Sequence, residues 1–173
     1  MSMGSLVLRQ ANVGDALGIA QIHVGTWQKA YLGMIPDFFL QGLSVEQRAR
    51  NWIKVLESTN AESQTIVAEI DEVIVGFIGI GPNRDSEVSD LGEVVAIYVD
   101  PNFQGQGVGS KLLHEGIQFL KNQGLKGAVL WVLDENTRTR VWYESHGWRF
   151  TGKSKTEKRV DFELLECQYV IDF

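Results

Sequence analysis

Cysteine occurs once in these 173 residues, at Cys167, so no disulfide can form within the chain and nothing points to an oxidising compartment. Cys167 reads instead as a small apolar residue in a strand. Positive charge is also short. The 16 Lys and Arg face 22 Asp and Glu, leaving a net charge of −6, the opposite of what a nucleic-acid backbone demands. No apolar run approaches the ~18 residues of a membrane span, and the opening MSMGSLVLRQ lacks a basic stretch followed by an apolar one. These absences predict a cytoplasmic protein with neither nucleic acid nor membrane as partner. The three histidines, His23, His114 and His146, are scattered without cysteines or carboxylates at ligand spacing, so no metal site is expected. No GxSxG elbow is present, which argues against a covalent acyl-enzyme. Nor does a repeat or a Pro/Gly/Ser linker divide the chain, and 44% hydrophobic content suffices for a core; one domain over residues 1–173 is expected.

What is there reads as alternating strands and helices. The prolines, Pro36, Pro82 and Pro101, fall where periodic segments end. Leu6 to Ala11 is a short extended run. Asn12 and Asp15 then form a capping-box pattern, followed by Ala16, Ile19, Ala20, His23, Trp27 and Ala30 at helical spacing. Residues 33–42 look like a connection. Ser44 with Gln47 repeats the cap before a second helix carrying Val45, Ala49, Trp52, Ile53 and Leu56 on one face. Thr65 to Ile70 and Val73 to Ile80, parted by Asp71-Glu72, predict a hairpin. Glu93 to Asp100 is apolar on both alternating sets, which predicts a strand covered on both faces in the middle of the sheet. After Asp100-Pro101 comes a glycine-rich turn, then a helix with Val108, Leu112, Leu113, Ile117 and Leu120 inward and Gly124 just past its end. Ala128 to Leu133 predicts another buried strand, parallel to the previous one through a right-handed crossover. A short helix over 136–146 and an antiparallel pair around a basic loop, Lys153 to Arg159, complete an α/β sheet of mixed direction.

The chemistry concentrates in Gln104-Gly105-Gln106-Gly107-Val108-Gly109, between the buried strand and a helix that continues with Ser110 and Lys111. The first amides of a helix have no internal partner and its dipole is positive there, so a turn short of Cβ atoms can receive a diphosphate. Positive φ in a tight turn calls for the same glycines without any ligand. A P-loop needs lysine directly after its last glycine, and here Ser110 intervenes before Lys111. A dinucleotide fingerprint needs GxGxxG opening from the first strand, whereas this spacing is GxGxG and comes late in the chain.

The pattern that does match is QxxGxG, at Gln104, Gly107 and Gly109. Three phrases accompany it in order: AIYVDPNFQGQGVG, the strand end Asp134-Glu135-Asn136, and VWYESHGW from Val141 to Trp148. Together they make the chain similar, over nearly its whole length, to the GNAT superfamily of acetyl-CoA-dependent N-acetyltransferases. The resemblance implies a mixed, mostly antiparallel α/β sheet of about seven strands flanked by about four helices, with a parallel strand-helix-strand unit for the cofactor. It implies that the loop amides of Gln104, Gly105, Gln106, Gly107, Val108, Gly109 and Ser110 hold the pyrophosphate of acetyl-CoA, the co-substrate. Ile97, Tyr98 and Val99 would pair through their backbone with the pantetheine arm, and Asn136 would touch that arm while capping its helix. An oxyanion donor is implied near the Val99 amide, where the family's strand bulges.

Acetyl transfer to an amine in a ternary complex needs a neutral amine, an oxyanion donor and a proton for the departing thiolate. An alkylamine has a pKa of ~10.4, so a base must act on it. At eleven positions before Gln104, Glu93 matches the general-base glutamate of some family members. A solvated strand-end carboxylate is its other reading, and Asp90 and Glu87 compete for the role. Tyr143 matches the tyrosine of the distal phrase, a phenol of pKa ~10 that can donate to a thiolate whose thiol is near ~8.5; it also reads as a packing aromatic. The resemblance implies an acceptor pocket from residues 27–39 and 153–159. There Trp27, Tyr31, Phe38 and Phe39 line a site for an amine or belong to the core. The expected function is therefore N-acetylation of a primary amine: a small amine, an amino acid or a peptide N-terminus. The acidic net charge favours a cationic acceptor. The alternative is a non-catalytic acyl-CoA-binding module, and a homodimer is open for either.

Overall fold

The computed structural model describes residues 4–85 and 89–173. Local signals set the helix starts. Asn12 Oδ1 accepts from the Gly14 N–H at 2.9 Å while the Asp15 carboxylate accepts from the Asn12 N–H at 2.8 Å, opening α1, Ala16–Ala30. Ser44 Oγ accepts from the Gln47 N–H at 3.1 Å and opens α3, Val45–Glu57. Between them lies α2, Asp37–Gln41, entered through Pro36. Residues 33–42 are thus more than a connection, and five helices rather than about four stand among the described residues. Five residues are too few for a 3.6-residue period to declare itself.

The remaining elements are β1, Val7–Gln10; β2, Gln64–Ile70; β3, Val73–Pro82; β4, Leu91–Val99; α4, Val108–Asn122; β5, Gly127–Leu133; α5, Thr137–Ser145; β6, Arg149–Lys158; and β7, Glu163–Asp172. The seven strands form one open sheet in the order β1-β2-β3-β4-β5-β7-β6. Every neighbouring pair is antiparallel except β4 and β5, which the α4 crossover makes parallel. Asp71 and Glu72 turn the β2-β3 hairpin with φ of 51° and 63°, the left-handed pair that matches strand twist. This is the mixed α/β architecture expected from the sequence, with β4 at its centre.

Helices α1 and α3 cover one face of the sheet, burying Ile19, Ala20 and Trp52 against Val67 and Phe77. Helix α4 covers the other, setting Leu112 and Leu120 against Ile78 and Leu130. Each fully buried leucine contributes about 1.5–3 kcal/mol from lost apolar exposure. Two local expectations fail. Residues 153–158 belong to β6, and the turn that follows spans 159–162. As a sheet edge with mostly exposed side chains, β6 has no apolar alternation to announce it. Strand β4 is covered on both faces only in its first half, since Val95 is 44% exposed. No helix among the described residues is long and apolar enough to cross a membrane.

Candidate active site

The opening beside Val95 follows from strand register. Strand β4 pairs with β5 only from Leu91 to Val94, against Gly127 to Leu130. Beyond that, β5 continues beside β7 and β4 beside β3, so the edge of β4 over residues 95–99 has no strand against it. The parting begins at a bulge. Ile80 faces Val94 and Gly79 faces Ala96, which leaves Val95 as an extra residue that turns the backbone. The irregularity thus lies at Val95, ahead of the Val99 position that the family likeness implied. A cleft of about 1520 Å³ runs through this gap, larger than the ~300–1,000 Å³ usual for one small ligand and roomy enough for two reactants.

One mouth of the cleft is the start of α4. Gly105 and Gly107 have φ of 74° and 82°, and Gly107 occupies the N-cap without any side-chain cap bond. The first backward bond runs from the Lys111 N–H to Gly107 O at 3.1 Å, leaving the amides of residues 108–110 without a backbone acceptor. A Cβ on Gly105 or Gly107 would meet nothing within 4 Å. Left-handed backbone, rather than crowding, therefore demands glycine, and the space above the turn is open. Gly109 packs closer, since a Cβ there would stand 3.3 Å from the Trp142 ring. The Val108 side chain is buried in the core and the Gln106 amide donates to Asn102 O at 3.1 Å, so these two offer the turn only main chain. Gln104 Nε2 donates to Val99 O at 3.1 Å and ties the turn to the bare edge of β4. His146 Nδ1 donates to Trp142 O at 2.8 Å, which makes Nε2 the acceptor for the Ser110 hydroxyl at 2.9 Å. Unpaired helix amides, an open turn and a bare strand edge together suit a diphosphate with an extended, amide-bearing tail.

Helix α5 lines the same gap. Asn136 Oδ1 caps it by accepting from the Thr139 N–H at 3.3 Å, while its Nδ2 makes no protein hydrogen bond among the described residues. Tyr143 is buried, with its ring 5.1 Å from Trp142 and 6.0 Å from Trp148. Its hydroxyl also lacks a hydrogen bond among the described residues, although the residue lines the cleft. Burial pushes the phenol well above its ordinary pKa, so it stays protonated.

The far mouth is aromatic and charged. Trp27 and Tyr31, one turn apart on α1, meet edge to face at 5.1 Å, and the Tyr31 and Tyr98 hydroxyls lie 3.4 Å apart. His23 stacks on Tyr98 at 5.2 Å and accepts from Trp52 Nε1–H at 3.1 Å; burial lowers its pKa to about 3, so the ring is neutral. Phe39 lines the cleft, whereas Phe38 is 59% exposed and does not. Glu93 is 1% exposed, and Arg84 holds it through its main-chain N–H at 2.9 Å and its guanidinium at 2.7 Å. Asp90 pairs with Lys126 at 3.0 Å away from the cleft, and Glu87 lies outside the described residues.

Sequence reasoning passed over two charged residues that line this mouth, Glu166 and Arg48. Burial raises the Glu166 carboxyl above its ordinary range, opposed by the attraction of Lys155, whose Nζ lies 3.9 Å away. Alternation along β7 puts Glu166 on one face with Leu164 and Gln168, and the i, i+4, i+7 spacing of Arg48, Trp52 and Val55 puts Arg48 on the cleft side of α3. Among the described residues, no group of three His, Cys, Asp or Glu could hold a metal ion.

Comparison with known proteins adds five matches: a family model, two relatives and two solved structures. The acetyltransferase (GNAT) family model matches residues 14–148. An uncharacterized N-acetyltransferase from Archaeoglobus fulgidus is 35% identical over 144 residues, covering 82% of this chain and 92% of that protein. The uncharacterized N-acetyltransferase YuaI of Bacillus subtilis is 28% identical over 141 residues, covering 82% and 79%. Among solved structures, the PaiA N-acetyltransferase from Thermoplasma acidophilum in complex with coenzyme A has a TM-score of 0.76 at 16% identity, covering 98% of this chain and 99% of that one. The Salmonella typhimurium yncA, solved with its cofactor acetyl-CoA, has a TM-score of 0.73 at 19% identity, covering 98% and 94%. At such identities the likeness is one of fold.

Proposed function

Because the chain belongs to the acetyltransferase (GNAT) family, we propose that it transfers the acetyl group of acetyl-CoA to a primary amine bound in the same cleft. One observation carries the reading. The gap between β4 and β5 joins a glycine turn with unpaired helix amides at one mouth to an aromatic, carboxylate-bearing cavity at the other. Bound acetyl-CoA supplies an activated acetyl group as a thioester. The amides of residues 108–110, the Asn136 side chain and the backbone of Ile97, Tyr98 and Val99 are the groups proposed to hold it. Coenzyme A and acetyl-CoA in the PaiA and yncA structures support this part of the reading.

The acceptor amine would lie toward Trp27 and Tyr31, with a backbone N–H of the bare β4 edge as oxyanion donor and the protonated Tyr143 hydroxyl facing the leaving sulfur. For the base, Glu166 is favoured over Glu93. Both oxygens of Glu93 are already taken up by hydrogen bonds from Arg84, whereas the Glu166 carboxylate accepts no hydrogen bond among the described residues and has its proton affinity raised by burial. Glu93 is then best read as the anchor of Arg84 and its loop.

Two measurements test this function. Acetyl-CoA at a hundred times its dissociation constant should raise the melting temperature by about 5–10 °C, by mass action on the folded state. Absence of any shift removes the donor. A binding module would give the shift yet release no thiol with any amine. The pH profile then identifies the base. Glu166 works only when ionised, so kcat/KM should climb through an acidic limb above the ordinary carboxyl value of 4.5. Glu166→Gln should abolish that limb and cost about 10²–10⁴ in rate. If Glu93→Gln abolishes it instead, the base is Glu93.

A further inference from the structure

The acceptor end of the cleft carries hydrogen-bond donors that have no acceptor. Arg48 is half-buried on α3, with its guanidinium 5.9 Å from the centre of the Trp27 ring. No carboxylate among the described residues pairs with it, and the charged neighbour it feels is Arg159, a like charge. Burial lowers its pKa, Tyr98 raises it and Arg159 lowers it further, and no ion pair among the described residues gives the guanidinium a counter-ion. Beside it the Trp27 indole N–H is buried and makes no hydrogen bond of ordinary geometry, although it faces the Tyr98 hydroxyl closely enough to lower that phenol's pKa, and the Thr26 hydroxyl next along the helix has no partner. Unpaired buried donors are rare enough in folded proteins to call for a ligand. Arg159 is already engaged by Glu157 at 2.8 Å, which leaves about one uncompensated positive charge on this wall.

The opposite sign lines the same cavity. Glu166 raises the pKa of the Tyr98 phenol and Arg48 lowers it, and all three residues line the cleft. A cavity lined by an unpaired cation, a carboxylate and aromatic rings suits a small molecule bearing both charges.

We propose that this wall recognises a carboxylate on the acceptor, with the Arg48 guanidinium as its fork and the Trp27 indole N–H as a second donor, so that the amine acetylated is that of a free amino acid. The inference rests on amine acetylation as the function and narrows its substrate. A singly charged, planar carboxylate fits one guanidinium fork better than a dianionic phosphate does. The ammonium end then lies toward Glu166, the proposed base.

The test uses the full chain and matched ligand pairs. In thiol-release assays, leucine and phenylalanine should exceed leucinamide and phenylalaninamide in kcat/KM by roughly 10–100-fold, the worth of a hydrogen bond to a charged group. Arg48→Gln should erase that ratio while acetyl-CoA still raises the variant's melting temperature. Amides used as well as the acids, or an unaltered ratio in the variant, overturn the proposal; a preference for amides would mark peptide N-termini instead. Calorimetry with N-acetylleucine and N-acetylleucinamide, in the presence of coenzyme A, reads the anion site apart from turnover. The acid should bind at least about tenfold more tightly, and equal binding, or binding of neither, overturns the site. Selective binding of the acid with no amino acid acetylated supports the anion site and overturns amine transfer.

Discussion

Gly107→Val should abolish the thermal stabilisation that acetyl-CoA confers, while lowering the melting temperature of the free protein by only a few degrees. Gly107 has a φ of 82°, a conformation that costs an L residue about 1–2 kcal/mol and a β-branched one more. The free protein registers that strain alone, because a Cβ at this position meets no protein atom within 4 Å. The ligand registers more. The amides of residues 108–110 owe their outward orientation to this N-cap, and the new side chain fills space that a diphosphate needs to reach them. Gly124, past the other end of the same helix, is the matched control, with a φ of 78° and open space around its Cβ position. Gly124→Val should cost similar stability and leave the acetyl-CoA response intact. At a ligand concentration that stabilises the native protein by about 2.7 kcal/mol, a hundredfold loss of affinity would shrink the shift from about 5–10 °C to about 1–2 °C. Equal responses from the two variants would show that the turn is glycine-rich for backbone reasons only.

The contrast between these glycines explains much of what the sequence reveals and what it hides. The caps at Asn12 and Ser44, the Asp71-Glu72 turn and the QxxGxG loop each lie within about six consecutive residues, so the chemistry that fixes them is written locally. The order of strands follows because α4 can link two strands side by side only in parallel. The gap itself is not local. It exists because β4, bulged at Val95 against Gly79 and Ile80 of the strand before it, leaves β5, a strand that lies beyond α4 in the chain. The aromatic, charged mouth of the cleft is assembled at longer range still, from α1, α3, β4 and β7. Glu166 carries no motif and Arg48 is one of several charges on α3; what distinguishes them is burial in the wall of one cleft, which only the folded chain has. A net charge of −6 suggested a cationic acceptor, but a whole-chain sum cannot register one unpaired guanidinium at the site.

Tyr143→Phe should lower kcat by about 10²–10⁴ while shifting the KM for acetyl-CoA no more than about threefold, because the hydroxyl is asked to act on the leaving sulfur and not to bind the donor. The ring makes the packing contacts, edge to face with Trp142 at 5.1 Å and tilted against Trp148 at 6.0 Å, and phenylalanine preserves them. The hydroxyl has no protein partner among the described residues, so its removal leaves no buried group unsatisfied and stability should hold. Burial raises the phenol's pKa, with two consequences of opposite sign. The proton is present at every working pH, so Tyr143 adds no alkaline limb to the profile. Complete transfer to a thiolate whose thiol titrates near ~8.5 becomes less favourable, so the hydroxyl should act chiefly by hydrogen-bonding the charge that builds on sulfur as the C–S bond breaks. A variant that keeps its melting temperature and its KM for acetyl-CoA but loses turnover assigns Tyr143 to the leaving group. One that loses stability, or loses affinity in step with rate, assigns it to the packing of α5 against the sheet.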